Sequence, residues 1–158
     1  MRNVKKHVLN NLLYARRDWD RLLNGISEAD LAKPGVCDQR SVKDLIAHIT
    51  WYDRQMEEML RSGKVEESPL WSMEPKERNE HIRRHHQMTN ADELKQQSLQ
   101  AFARLLDAVE SADSEAFLNP GYYDKMQEDW QPLDIIAINT WGHYAHHARQ
   151  IEEFLAGE

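Results

Sequence analysis

The chain predicts an all-α protein, an antiparallel four-helix bundle with long connecting loops. Three observations carry that prediction. Apolar residues recur every three or four positions along four long stretches. Helix-starting residues (Ser41, Pro75, Pro132) and helix-stopping residues (Gly25, Gly63) stand at the ends of those stretches. No segment alternates apolar and polar residues as a half-buried strand would, and no internal repeat or low-complexity tract interrupts the pattern.

The first helix is expected over Asn3 to Asn24, where Val8, Leu9, Leu12, Ala15, Trp19, Leu22 and Leu23 share a face, with Ile26 just beyond and Gly25 as the stop. Ile26 to Arg40 contains K-P-G and reads as a connection with one short turn at Ser27 to Leu31. Ser41 is an N-cap, and Asp44 three residues on completes a capping box. The second helix carries Val42, Leu45, Ile49, Tyr52, Met56, Met59 and Leu60 and stops at Gly63. Lys64 to Glu74 reads as irregular. Pro75 suits the first turn of a third helix through E-R-N-E-H-I-R-R-H-H. Thr89 or Asn90 recaps the chain near Met88, and Leu94, Leu99, Phe102, Leu105, Leu106 and Val109 then mark a long helix to about Ala112. A polar loop containing N-P-G-Y-Y follows. Pro132 opens the last helix, which runs unbroken to about Ala156. Long connections in so small a bundle often carry or cover a site.

Composition bounds the function. The 158 residues fit one domain, 1–158, large enough to bury its own core. The hydrophobic share of 41% and charged share of 30% suit a globular chain. The longest apolar run is Ile135 to Ile138, so no membrane span is expected. The N-terminus lacks a signal-peptide core. The single cysteine, Cys37, excludes an internal disulfide and a cysteine-based zinc site within one chain. These features place the chain in the cytoplasm. The net charge of -7 argues against broad nucleic-acid binding while leaving room for a local basic patch; the expected partner is a small molecule and not a nucleic acid or a membrane.

The chemistry concentrates in W-G-H-Y-A-H-H-A-R-Q-I-E-E-F-L, Trp141 to Leu155. On a continuous helical wheel the apolar face of the last helix centres on Ala137, Tyr144, Ile151 and Leu155. His147 lies within roughly 80° of that centre and His143 within roughly 120°, beside Ile136 and Phe154. His146 falls on the opposite side with Arg149. His143 and His147, four apart on one face, have the spacing at which two imidazoles share a metal ion. His48 sits roughly 75° from the centre of the second helix's stripe, also on a flank, and facing flanks of two bundle helices can converge on a metal. Three neutral imidazoles with open positions suit catalytic zinc, nickel or iron. A histidine at a core border is more often a hydrogen-bonded packing residue, and a bare H-x-x-x-H is a weak signal. A second such pair, His81 and His85, is flanked by Arg83, Arg84 and His86; it lacks an apolar stripe and reads as a solvated basic face.

D-L-I-A-H-I-T-W-Y-D-R-Q-M, from Asp44 to Met56, together with N-T-W-G-H-Y-A-H-H-A-R-Q-I, from Asn139 to Ile151, resembles the DinB-like (DinB/YfiT) superfamily. Its members are four-helix bundles that include bacillithiol and mycothiol transferases and the N-terminal domain of mycothiol-dependent maleylpyruvate isomerase. The resemblance implies a metal triad at His48, His143 and His147, with zinc or nickel as the leading metals and iron as a further one. It implies a metal-dependent enzyme that activates water or a low-molecular-weight thiol against a small electrophile, as a transferase or hydrolase, in a homodimer. The isomerase carries a glutamate where this chain has His143. The ClbS/DfsB group of related bundles implies the alternative, a non-catalytic small-molecule binding or toxin-resistance protein. Around the triad, Asp44 is placed either to orient His48 from one turn away or, as its cap position suggests, to serve the helix start. Tyr52 and Gln150 are candidates for the pocket rim. No residue stands out as a general base, so the catalytic residues are unassigned. Trp51, Trp71, Tyr122, Tyr123 and Trp130 are candidate pocket walls, and Cys37 reads as an incidental loop cysteine.

Overall fold

The computed structural model describes residues 2–66 and 68–157. Helix α1 (Arg2–Asn24) leads through a short α2 (Glu28–Ala32) to α3 (Val42–Ser62). Helix α4 (Pro75–His86) is followed by α5 (Ala91–Ser111), a one-turn α6 (Glu115–Leu118), α7 (Pro132–Asn139) and α8 (Trp141–Leu155). No strand forms among the described residues; only isolated bridges join Cys37 to Arg40 and Lys64 to Asp124. The four bundle positions are held by α1, α3, α5 and the α7–α8 pair, as expected for an antiparallel four-helix bundle with long connections. Helix α3 packs along α5, α1 against α8 and α5, and α4 lies on the outside of α3.

Local chemistry explains the boundaries. The Ser41 hydroxyl accepts from the Asp44 amide at 3.1 Å and Asp44 Oδ2 accepts from the Ser41 amide at 2.9 Å, closing the expected capping box. Helix α3 ends at Gly63 in the left-handed region (φ 72°), where a residue with a Cβ would be strained. Asn90, not Thr89, caps α5 by accepting from the Glu93 amide at 2.8 Å. Ser27 likewise caps α2. Of the segment Lys64–Glu74, Glu67 lies outside the described residues; Pro69–Ser72 forms a single 3-10 turn.

Helix α3 is the centre of the molecule. Val42, Leu45, Ile46, Ile49, Met56 and Met59 are almost fully buried, and so are the polar Thr50, Asp53, Gln55 and Glu57 between them. Each large aliphatic side chain buried there contributes roughly 1.5–3 kcal/mol. Asp53 is part of a polar node that joins all four bundle positions. The Tyr144 hydroxyl of α8 donates to Asp53 Oδ2. Arg16 Nη1 of α1 donates to the Tyr144 oxygen at 3.1 Å and to Ser98 Oγ of α5 at 2.9 Å.

Two expectations are corrected. The last helix is not continuous. It breaks at Thr140 (φ -126°, ψ -101°), whose hydroxyl donates to the Ile136 carbonyl at 2.6 Å. A Cβ on Gly142 would stand 2.9 Å from the Ala137 carbonyl, so the break closes because residue 142 has none. The break also resets the helical phase: Ile136, not Ala137, joins Tyr144 and Ile151 in the core, and Leu155 is 42% exposed past the end of the core. The loop before α7 is less polar than its sequence suggests. Helix α6 buries Ala116 and Phe117, and Tyr123 is buried with its hydroxyl on the Ala116 carbonyl at 2.7 Å. A single turn is too short to show helical periodicity.

Candidate functional site

Helix α3 and the first two turns of α8 bring His48, His143 and His147 together. His48 Nε2 lies 2.9 Å from His143 Nε2, and His147 Nε2 lies 3.0 Å from the same atom. His48 and His147 are each 4% exposed, and His143 is half-buried. His146 is exposed, as are His81 and His85, so neither the neighbour nor the rival pair belongs to the cluster.

Burial is the main cause that disfavours the charged imidazoles, and the mutual proximity of the rings adds to it. His143 is lowered to about 3, by burial and then by His147, His146 and Arg40. His147 is lowered to about 4 by burial, with Gln150 acting in the opposite direction. His48 is lowered furthest, by burial and then by His143, His147, Arg40 and Arg78. All three are neutral at physiological pH, the form in which imidazole binds metal.

The donor set can be tested against a metal ion atom by atom. A neutral ring nitrogen carries either one proton or one lone pair. His143 Nε2 faces two other Nε2 atoms at once, so both contacts cannot be ordinary two-centre hydrogen bonds. A cation at the point where the three lone pairs converge resolves that conflict. Nitrogens about 2.05 Å from one ion stand about 2.9 Å apart at a right angle and about 3.3 Å at a tetrahedral one. The observed pairs lie at the right-angled end, which leaves further positions open. The opposite edges of the rings agree in part. Gln150 Oε1 lies 2.7 Å from His147 Nδ1, so it accepts that proton and leaves the lone pair on Nε2. His143 Nδ1 is buried without a hydrogen-bond partner. Arg40 Nη1 lies 3.4 Å from His48 Nδ1, and a guanidinium only donates, so ligation through His48 Nε2 requires Arg40 to turn aside. With Arg40 turned aside, the residues fit a metal ion.

The surroundings are partly those expected. The Tyr52 ring packs on His48 (4.9 Å between centroids) and on His143 (4.7 Å), and its oxygen accepts from Arg78 Nε at 3.1 Å. Asp44 is engaged by Ser41 in the capping box and makes no hydrogen bond to His48. Sequence reasoning missed Arg40 and Arg78 and read Cys37 as incidental. Arg40 Nη2 donates to Cys37 Sγ at 2.9 Å, and Gln150 Nε2 lies 3.6 Å from the same sulfur, so the thiol sits at the triad's edge. The tight turn between Cys37 and Arg40, with Asp38 at φ 55°, holds both there. A non-periodic turn of four residues gave no signal for this. Trp71 and Trp130 line a cleft two turns beyond His48 along α3, Trp51 meets Tyr52 edge-on and Trp71 at a tilt, and Tyr122 is 41% exposed.

The fold and the site together define the class: an all-α bundle with a three-histidine cluster between its second and last long helices. The chain belongs to the DinB superfamily, whose sequence profile matches residues 11–151. No curated protein matches it. Among solved structures, it is similar to an uncharacterised protein of Escherichia coli UTI89 (TM-score 0.76, 13% identity, 97% of this chain and 93% of that one). It is also similar to the colibactin self-resistance protein ClbS in complex with double-stranded DNA (TM-score 0.77, 13% identity, 94% and 93%). A Streptococcus pneumoniae protein gives a TM-score of 0.76 at 13% identity over 96% and 90%. These likenesses show the fold alone. The ClbS complex corrects one expectation, that no nucleic acid is a partner because net negative charge argues against it: a bundle of this shape has been crystallised on DNA. Net charge sums the whole surface, and a local patch decides binding. No described helix is long and apolar enough to cross a membrane.

Proposed function

We propose that His48, His143 and His147 hold one divalent metal ion through their Nε2 atoms, and that the protein uses it on a small electrophilic substrate. The observation that carries this reading is the convergence of three neutral imidazoles, two buried and one half-buried, on one cluster. When bound, such an ion lowers the pKa of a water or a thiol and polarises a carbonyl. Gln150 holds His147 in the tautomer that keeps its Nε2 lone pair free. Tyr52 walls the cluster and excludes water from one side. Arg40 and Arg78 place two positive charges at the rim, where they suit a carboxylate on a low-molecular-weight thiol. Zinc, nickel and iron are the metals to test, and transfer to an electrophile and hydrolysis the reactions. The reading takes residues 1–158 as one unit acting in the cytoplasm as a homodimer.

The test is elemental analysis of purified protein. About one metal ion per chain is expected, released by a chelator and restored with zinc or nickel. Protein that takes up no metal on refolding with either ion overturns the reading.

A second reading rests on the likeness to ClbS, a resistance protein: a binding protein without turnover, with a toxic small molecule or DNA as partner. Metal uptake without turnover across thiols and electrophiles, together with binding of a labelled duplex, would favour it.

A further inference from the structure

The triad does not line the cleft of about 340 Å³ that opens beside it. The two share a seam. On α3, His48, Tyr52 and Met56 follow at one-turn intervals, with His48 in the cluster and Met56 in the cleft wall. Eight residues of helix put them ~12 Å apart. Across the seam, Ile135 and Asn139 of α7 line the cleft, and His143 and His147 of α8 form the cluster. Tyr52 stands between the two sites: its ring packs on His48 and His143 and meets Trp71 of the cleft wall edge-to-face at 5.7 Å.

The cleft has a definite chemistry. Trp71 and Trp130 contribute indoles, and Met56, Val65, Ile135 and Ile138 contribute aliphatic surface. Glu66, Asp129 and Asp134 contribute carboxylates, and no lysine or arginine is among the described lining residues. None of the three acids is in an ion pair with another described residue. Lys64 and Lys125 line an adjoining cleft that shares Glu66 and Trp130. The Trp71 ring already carries the Arg78 guanidinium 4.9 Å from its centroid, outside the lining. Indole faces attract cations, aliphatic walls take alkyl or aryl surface, and unpaired carboxylates at the mouth select positive charge. An anionic ligand would meet three carboxylates and no lysine or arginine of the cleft's own lining.

We propose that this cleft is a binding site for a hydrophobic organic cation, an amine or quaternary ammonium bearing an aryl or alkyl group. Binding itself needs no metal. Only the corollary, that a longer substrate anchored here by its cationic end reaches the triad with its other end, rests on the function proposed above.

The test uses three probes with one ring and different charge: benzylammonium, benzyl alcohol and benzoate, titrated into the full chain by calorimetry and indole fluorescence. Benzylammonium is expected to bind roughly tenfold more tightly than benzyl alcohol, and benzoate most weakly. The preference should shrink at high salt. Asp134→Asn should cut the cation-over-alcohol ratio severalfold, and Trp130→Leu should weaken both ligands. Asp134 is exposed and Trp130 half-buried, so both variants are expected to fold, checked by circular dichroism and by unchanged metal content. His147→Ala should keep the preference, which separates failure here from failure of the metal reading. Equal binding of the three probes, or no binding, overturns the proposal. So does a preference that survives both cleft variants or disappears in His147→Ala, since the cation would then sit elsewhere.

Discussion

The three imidazoles of the cluster differ in what holds their second nitrogen. That difference sets the order of their substitutions. His48→Ala, His143→Ala and His147→Ala each remove a ligand and should weaken metal binding by orders of magnitude. His146→Ala, on the exposed side, should leave metal stoichiometry unchanged, as should His81→Ala and His85→Ala. Gln150→Leu should cost roughly 10–100-fold in metal affinity, because His147 then loses the group that fixes its tautomer. Arg40→Leu should act in the opposite sense. It removes a positive charge that disfavours a cation beside His48, so the metal should bind more tightly while a carboxylate-bearing thiol binds less well. Competition titration against a chromophoric chelator measures all of these on one scale. At this scale much was legible: two helical wheels put His48, and His143 with His147, on core-bordering flanks, because side-chain direction on a helix follows from sequence position, and the family resemblance joined them into one set. Arg40, Arg78 and Cys37 could not, because their positions depend on a turn and on α4 folding over α3.

Among the elements, the break between α7 and α8 is the one that aims the cluster. Gly142→Ala would drive a Cβ against the Ala137 carbonyl, backbone that cannot swing away. It should lower stability by about 1–3 kcal/mol and weaken metal binding, since α8 carries two ligands. Urea midpoints together with metal content measure both effects. Ser41→Ala removes the cap of α3 and should cost about 1 kcal/mol with metal affinity unchanged, separating helix stability from helix aim. The starts and stops at Ser41, Gly63, Pro75 and Pro132 were readable because each rests on a local hydrogen bond or on φ. The break at Thr140 was not, because Thr and Gly at positions 140 and 142 are both tolerated within a continuous helix. Only the buried fit of Ile136 and Tyr144 on either side requires the offset.

For the whole molecule, pH acts through two buried groups of opposite sign. The triad histidines titrate near 6.5 when unfolded and well below that when folded, so between about 3 and 6.5 the unfolded chain binds more protons. Stability from this source is complete above that window and is lost as pH falls through it; metal content should fall with it. Asp53 does the reverse. Burial raises it from 3.8 to about 7 against the hydrogen bond from Tyr144 and the charge of Arg16, so the folded state holds the extra proton. Its contribution is complete below 3.8 and is lost as pH rises to about 7. Asp53→Asn should therefore steepen the rise of stability with pH and relieve the loss near neutrality, whereas Tyr144→Phe should cost about 1–3 kcal/mol by stranding buried polar partners. Thermal melts of the metal-free protein across this range measure both. The bundle was foreseeable from periodicity, but the polar node joining its four positions was not, since Arg16, Asp53 and Ser98 interrupt apolar faces without a pattern of their own.

The central position of α3 has a kinetic consequence. Its amides are shielded on nearly every side, whereas the buried residue of α4, packed on its flank, is Ile82. Native-state hydrogen exchange should place α3 among the last amides to exchange, at the cost of global unfolding, and α4 among the first, through local opening. His48 would then ride on the slowest part of the molecule while Arg78, which rests on Tyr52 beside it, rides on the fastest. Uncovering the triad would become a matter of α4 lifting by itself, at a rate that leaves the ligand frame undisturbed.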